Sequence, residues 1–215
     1  MTKHIPFTAI YLLLTAAVVI ASWTMTVYGH EVTQSLLSGE GVRWWVRSLL
    51  ANYVSAPLGE SLLVLLTAGA LRRCGPWRWS RALMMSAVVF GLLTALVVWG
   101  VMGGNLLSAT ASWNNSPLQK GWLPLLALVV CTPCVCYGLA NGTFQCSGQV
   151  AEALASEVKR CAPFFLTLFV AAQLVAVTRW SGLLVAAGAG DGLRQLLATV
   201  VYWLPLVCQF FRKQK

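Results

Sequence analysis

Glu60 follows Pro57-Leu58-Gly59 and precedes the apolar run SLLVLLTAGAL. A carboxylate at this point has two physical readings. Deep in hydrocarbon it costs about 2.5–3.5 kcal/mol, so it would face a cavity as a substrate site, a cation site or a proton carrier. At the bilayer edge it is a first-turn acid satisfied by water and by the N-terminal end of its helix, and the sequence favours this second reading. Gln173 lies inside a later apolar block, where its amide is either interhelical glue or a cavity-lining group. Cys131, Cys134 and Cys136, in CTPCVC, have the spacing of a thiol metal or redox cluster. No histidine supports them, since His4 and His30 are far off in sequence. Small thiols also serve to pack spans, and packing is the favoured reading.

Other motifs carry less. Asn141-Gly-Thr143 fits the glycosylation pattern, but the topology below places it inside. Gly138 and Gly142 have the small-xxx-small spacing of close helix packing, the preferred reading there. There is no Gly-rich phosphate loop, zinc motif or nucleophile elbow. Two histidines and six acids form no acid–base constellation, so neither an enzyme, a metal site nor a cofactor is expected.

The elements that hold these residues follow from composition. Of 215 residues, 58% are hydrophobic and 10% charged, against about 25% charged in soluble domains. The apolar residues fall in long uncharged blocks, which points to the lipid bilayer as solvent. The net charge of +9 comes from short basic clusters between those blocks. That is the pattern of loops facing an anionic leaflet, and nucleic acid is not expected as a partner. The seven cysteines are odd in number and lie mostly in or beside apolar blocks, unlike a secreted disulfide framework.

The expected spans are residues 7–25, 82–102, 122–140, 163–177 and 193–211, plus one broken crossing. In that crossing an interfacial helix from Val42 carries Arg43, Trp44 and Trp45 as anchors, breaks at Pro57–Gly59, and continues from Glu60 to Leu71. Within 141–160, EALASEVKR is a short amphipathic helix. The fold class expected is all-α: a polytopic integral membrane protein, one transmembrane domain over 1–215, with about six spans. No cleavage site follows the first block, so it reads as an uncleaved span. Six crossings place both termini in the cytoplasm with Lys3, Arg72, Arg73, Arg78, Arg81, Lys159, Arg160, Arg212, Lys213 and Lys215. By the same topology Cys74 is expected to accept thiol labels from the cytoplasmic side.

Four stretches resemble one family in series. SLLSGEGVRWWVRSLLANYVSAPLG (35–59) has an Arg-Trp pair, an Asn-aromatic pair at Asn52 and Tyr53, and an alanine–proline–leucine–glycine break. SPLQKGWLPLLAL (116–128), CYGLANGTFQCSGQVAEALASEVKRCAPFFLTLFVAAQ (136–173) and RWSGLLVAAGA (179–189) follow in order, with Gly182 where asparagine is usual. This is similar to the p-aminobenzoyl-glutamate transporter (AbgT) family. The resemblance implies a multi-pass protein of the bacterial inner membrane. It also implies secondary transport, uptake or efflux, of an aromatic amino-acid conjugate such as p-aminobenzoyl-glutamate, or of related antimetabolites. A coupling ion, H+ or Na+, and a homo-oligomer go with it. The chain departs from the family in lacking the stretches of the two re-entrant hairpins, in Glu60, and in Arg72 and Arg73. Asn52, Glu60 and Gln173 are the candidate substrate-binding residues of a reduced transporter. The alternative is a transport-incompetent relative that acts as a membrane scaffold or regulatory subunit.

Overall fold

A computed structural model of the chain describes residues 7–29, 33–103, 106 and 116–212. Lys3, His4, His30, Asn114, Asn115, Lys213 and Lys215 lie outside the described residues. All regular structure among the described residues is helical: α1 (Phe7–Val27), α2 (Gly39–Val54), α3 (Leu58–Arg73), α4 (Arg81–Met102), α5 (Pro117–Ala140), α6 (Ser147–Arg160), α7 (Ala162–Ser181), α8 (Leu183–Ala186) and α9 (Asp191–Arg212).

Five helical stretches among the described residues are long and apolar enough to cross a bilayer: Phe7–Val27, Gly39–Arg73, Arg81–Met102, Gly121–Ala140 and Ala162–Ser181. The protein is therefore an all-α, multi-pass membrane protein. Side-chain exposure agrees: Leu13, Met84, Leu92 and Leu96 are each more than 60% exposed, an arrangement that lipid covers and water would penalise. α9, expected as the last span, has 22 residues but is amphipathic and is not one of the five. Asp191, Arg194 and Gln195 occupy its first turns, while Leu193, Leu196, Leu197, Val200, Leu204 and Val207 are exposed at helical spacing.

The helix break is real in the backbone. The Ser38 hydroxyl starts α2 by accepting from the Gly41 amide at 3.0 Å. The break expected at Pro57–Gly59 falls at Ser55–Pro57, where the proline has no N–H to continue the ladder. Gly59 is already in the first turn of α3, which runs 16 residues.

Contacts divide the chain into two compact units, Met1–Leu58 with Cys161–Lys215, and Gly59–Arg160. In the first, α7 is central: it packs against α1, α2 and α9 and buries Phe164, Leu168, Ala171 and Val177 almost completely. Gly182 ends α7 in the left-handed conformation (φ 69°), which glycine and asparagine tolerate best.

In the second unit α4 and α5 pack together, and α3 and α6 meet backbone to backbone. A Cβ on Gly69 would lie 2.6 Å from the Leu154 carbonyl oxygen. The contact is locked by Glu157, 5% exposed, which accepts from Arg72 at 3.0 Å and Arg160 at 3.4 Å. Tyr137 at the end of α5 donates to the Pro76 carbonyl at 2.6 Å, accepts from the Arg78 amide at 3.1 Å and stacks on Trp77. The loop from α3 to α4 is thus pinned to the end of α5. Gly138 and Gly142 do not form a helix-packing face. Gly138 makes room for the Phe144 ring, and Gly142 lies past the helix end at φ 74°.

Candidate functional site

Two of the three candidate residues meet inside the first unit. The Asn52 side chain on α2 donates to Gln173 Oε1 at 3.2 Å. Gln173 Nε2 on α7 in turn donates to the Leu49 carbonyl at 3.0 Å. Gln173 is 5% exposed, and a buried amide without partners would cost about 1–3 kcal/mol. The pair therefore fixes α2 against α7. Tyr53 joins it, with its ring edge on Phe169 at 5.3 Å. Glu60 is not with them. It stands exposed in the first turn of α3, in the other unit.

Beside the amide pair lies a cleft of about 330 Å³ whose lining includes Trp44, Asn52, Ser55, Arg179, Trp180 and Tyr202. Trp44 and Trp180 stack with centroids 5.1 Å apart. The Trp44 ring, expected as an interface anchor, is thus also a wall of the cleft. Arg179 is exposed and forms no ion pair among the described residues. The lining combines one guanidinium, an amide, the Ser55 and Tyr202 hydroxyls and three aromatic rings, chemistry suited to a planar ring bearing an anionic group. Sequence reasoning met Arg179 and Trp180 at the start of the stretch 179–189 and passed over Tyr202. The available signal was the Arg-Trp doublet at 179–180, which repeats the doublet at 43–44.

The thiols form no comparable site. Cys74 and Cys134 are 0% and 2% exposed and share a cluster with Ala70, Ala82 and Tyr137, with Cys131 packed against it. Cys131 Sγ lies 3.5 Å from Thr67 Oγ1. Burial pushes the Cys74 thiol above its ordinary pKa, which disfavours the reactive thiolate. Among the described residues no three histidine, cysteine or acidic side chains form a group able to hold a metal. Cys74 is therefore the wrong residue for the labelling experiment expected from the sequence. Cys146 is exposed. With maleimide at neutral pH on the folded protein, Cys146 should react at least tenfold faster than Cys74, as read by peptide mass mapping. Comparable rates would contradict the packing of the Cys74 cluster.

Comparison with known proteins adds the family. The sequence profile of the AbgT transporter family matches residues 78–209. The chain is also 35% identical over 82 residues to the thiol:disulfide interchange protein DsbD 1 of Pseudomonas aeruginosa, a likeness covering 38% of this chain and 13% of that protein. The chain thus spans a small part of the length of this curated relative. No solved structure matches it. The matched profile begins in the loop before α4 and runs through α9, more than half of the chain. This chain belongs to the AbgT transporter family.

Proposed function

We propose that this membrane protein carries out secondary transport, uptake or efflux, of p-aminobenzoyl-glutamate or a related folate-pathway antimetabolite. The observation that carries the reading is the family match over residues 78–209. The cleft of the first unit supports it chemically. Arg179 suits a carboxylate, the Trp44, Trp180 and Tyr202 rings suit a benzoyl ring, and Asn52 supplies an amide. Asn52 and Gln173 are the proposed substrate-binding amides, Asn52 lining the cleft and Gln173 bonded to it, and Glu60, apart from that cleft, is proposed as a separate substrate or coupling-ion group, with H+ or Na+ as the ion. One transmembrane domain in the bacterial inner membrane, both termini cytoplasmic, and a homo-oligomer belong to the same proposal. The exposed apolar face of α9 supports the oligomer.

Flux in proteoliposomes, with and without a proton or sodium gradient, tests it. Saturable p-aminobenzoyl-glutamate flux is expected. Arg179→Gln should reduce it at least tenfold, since a charge-assisted hydrogen bond contributes about 1.5–3 kcal/mol. Glu60→Gln should abolish gradient dependence at unchanged expression. Flux untouched by either change would remove that residue from its proposed transport role.

A second reading, a non-transporting scaffold or regulatory subunit, has its own support. The Gln173 amide already bonds to Asn52 and to the Leu49 carbonyl, as interhelical glue would. Absence of saturable flux from wild-type protein would select this reading. The activity named for the DsbD relative is not carried over, because the Cys74 and Cys134 thiols are closed from solvent.

A further inference from the structure

In the second unit a polar cleft of about 380 Å³ lies between the end of α3, the loop after α5 and one face of α6. Arg73, Thr143, Gln149 and Lys159 contribute donors to its lining, Ser156 lines it with a hydroxyl that donates to the Ala153 carbonyl at 2.7 Å, and Glu152 contributes a carboxylate. Arg73 and Lys159 are exposed and form no ion pair among the described residues. The neighbouring Arg72 and Arg160 both bond to the Glu157 carboxylate, whereas Arg73 and Lys159 face the cleft.

Three features place this cleft at the level of a membrane surface. Membrane-spanning stretches end at Arg73 and Ala140 and another begins at Arg81. The Tyr137 bonds to Pro76 and Arg78 hold the α3–α4 loop against the end of α5, so these span ends share one side of the unit. In that loop Trp77 and Trp79 are 51% and 91% exposed, beside Arg78. Exposed tryptophan interleaved with arginine belongs at the headgroup layer. Basic pockets between helices at that depth hold anionic lipid headgroups.

We propose that Arg73 and Lys159 form a binding site for the phosphate of an anionic phospholipid, with the Ser156 and Thr143 hydroxyls completing the polar cleft. Free inorganic phosphate offers the same oxygens. The lipid is the occupant argued here, because the site adjoins span ends and exposed indoles that acyl chains would cover. Glu152 opposes the anion and limits its affinity. The site is independent of the cleft containing Arg179 and of any transport activity.

The 215-residue chain in detergent is offered phosphatidylglycerol and phosphatidylcholine at equal concentration, and retained lipid is counted by native mass spectrometry. Phosphatidylglycerol should be retained preferentially. Arg73→Gln and Lys159→Gln should each weaken its retention about fivefold, the equivalent of about 1 kcal/mol per basic residue near an anionic surface. Arg73→Lys should keep the preference. Glu152→Gln should strengthen retention, a gain that misfolding cannot produce. Equal retention of the two lipids overturns the proposal, as does a Glu152→Gln variant with no gain together with an Arg73→Gln/Lys159→Gln variant with no loss. Displacement of phosphatidylglycerol by millimolar inorganic phosphate, but not by chloride of matched ionic strength, would assign the site to free phosphate and also overturn the lipid assignment.

Discussion

Glu157→Ala should destabilise the second unit by about 3 kcal/mol. Glu157 is nearly buried and is held by two guanidinium groups, Arg72 at 3.0 Å and Arg160 at 3.4 Å. Removing one partner of a buried ion pair costs about 3–5 kcal/mol, mostly because the remaining charge is left without compensation. Here two guanidinium groups lose this contact. Their side chains are 28% and 32% exposed, so water recovers part of the loss and the low end applies. Glu157→Gln keeps an acceptor oxygen and should lose about half as much. Thermal melting of the detergent-solubilised protein measures both changes. An unchanged melting temperature for the alanine variant would show that α6 is not anchored through this carboxylate.

Gly69→Leu should be comparably damaging, for a steric reason. Even the first added carbon would lie 2.6 Å from the Leu154 carbonyl and 2.7 Å from that of Ala153. Both obstacles are backbone atoms of α6, so no side-chain rotation relieves the overlap, and α6 must move away from α3. Overpacking of this kind costs about 1–3 kcal/mol, and the lift would also stretch the Arg72–Glu157 bond. The effects of Gly69→Leu and Glu157→Ala should therefore be less than additive in the double variant, because each releases the same helix. Full additivity in melting experiments would refute the shared anchor. Gly59, which has open space at its Cβ position, should accept alanine at little cost.

Four of the five unbroken spans were legible because hydrocarbon demands long uncharged helices; the fifth, 193–211, lies in the amphipathic α9, which is not among the stretches able to cross. The break before Leu58 was legible from Pro57 alone, although Gly59 drew the expected boundary two residues too far. Gly182, where the family pattern has asparagine, is explained by its left-handed backbone, which both residues accept. What the sequence did not display is partnership. Glu157 reads as one charge on an amphipathic connector, and only the docking of α6 on α3 reveals that it is buried. Gly69 reads as a neutral gap in an apolar run. Asn52 and Gln173 were candidates because an amide in lipid needs a reason, yet nothing local announces that they bond to each other. Arg179 and Tyr202 come together only through the packing of α9 on α7, a long-range contact that periodicity does not encode. Cys74 sits beside arginines, which suggested accessibility that its complete burial denies.

The bond between Asn52 and Gln173 joins positions 121 residues apart. An apolar replacement at Asn52 leaves the buried Gln173 oxygen without its donor, whereas replacement of both removes the deficit. Evolution should therefore treat the two as a single character. Across related chains, positions 52 and 173 should change in concert, with mixed polar–apolar combinations rare.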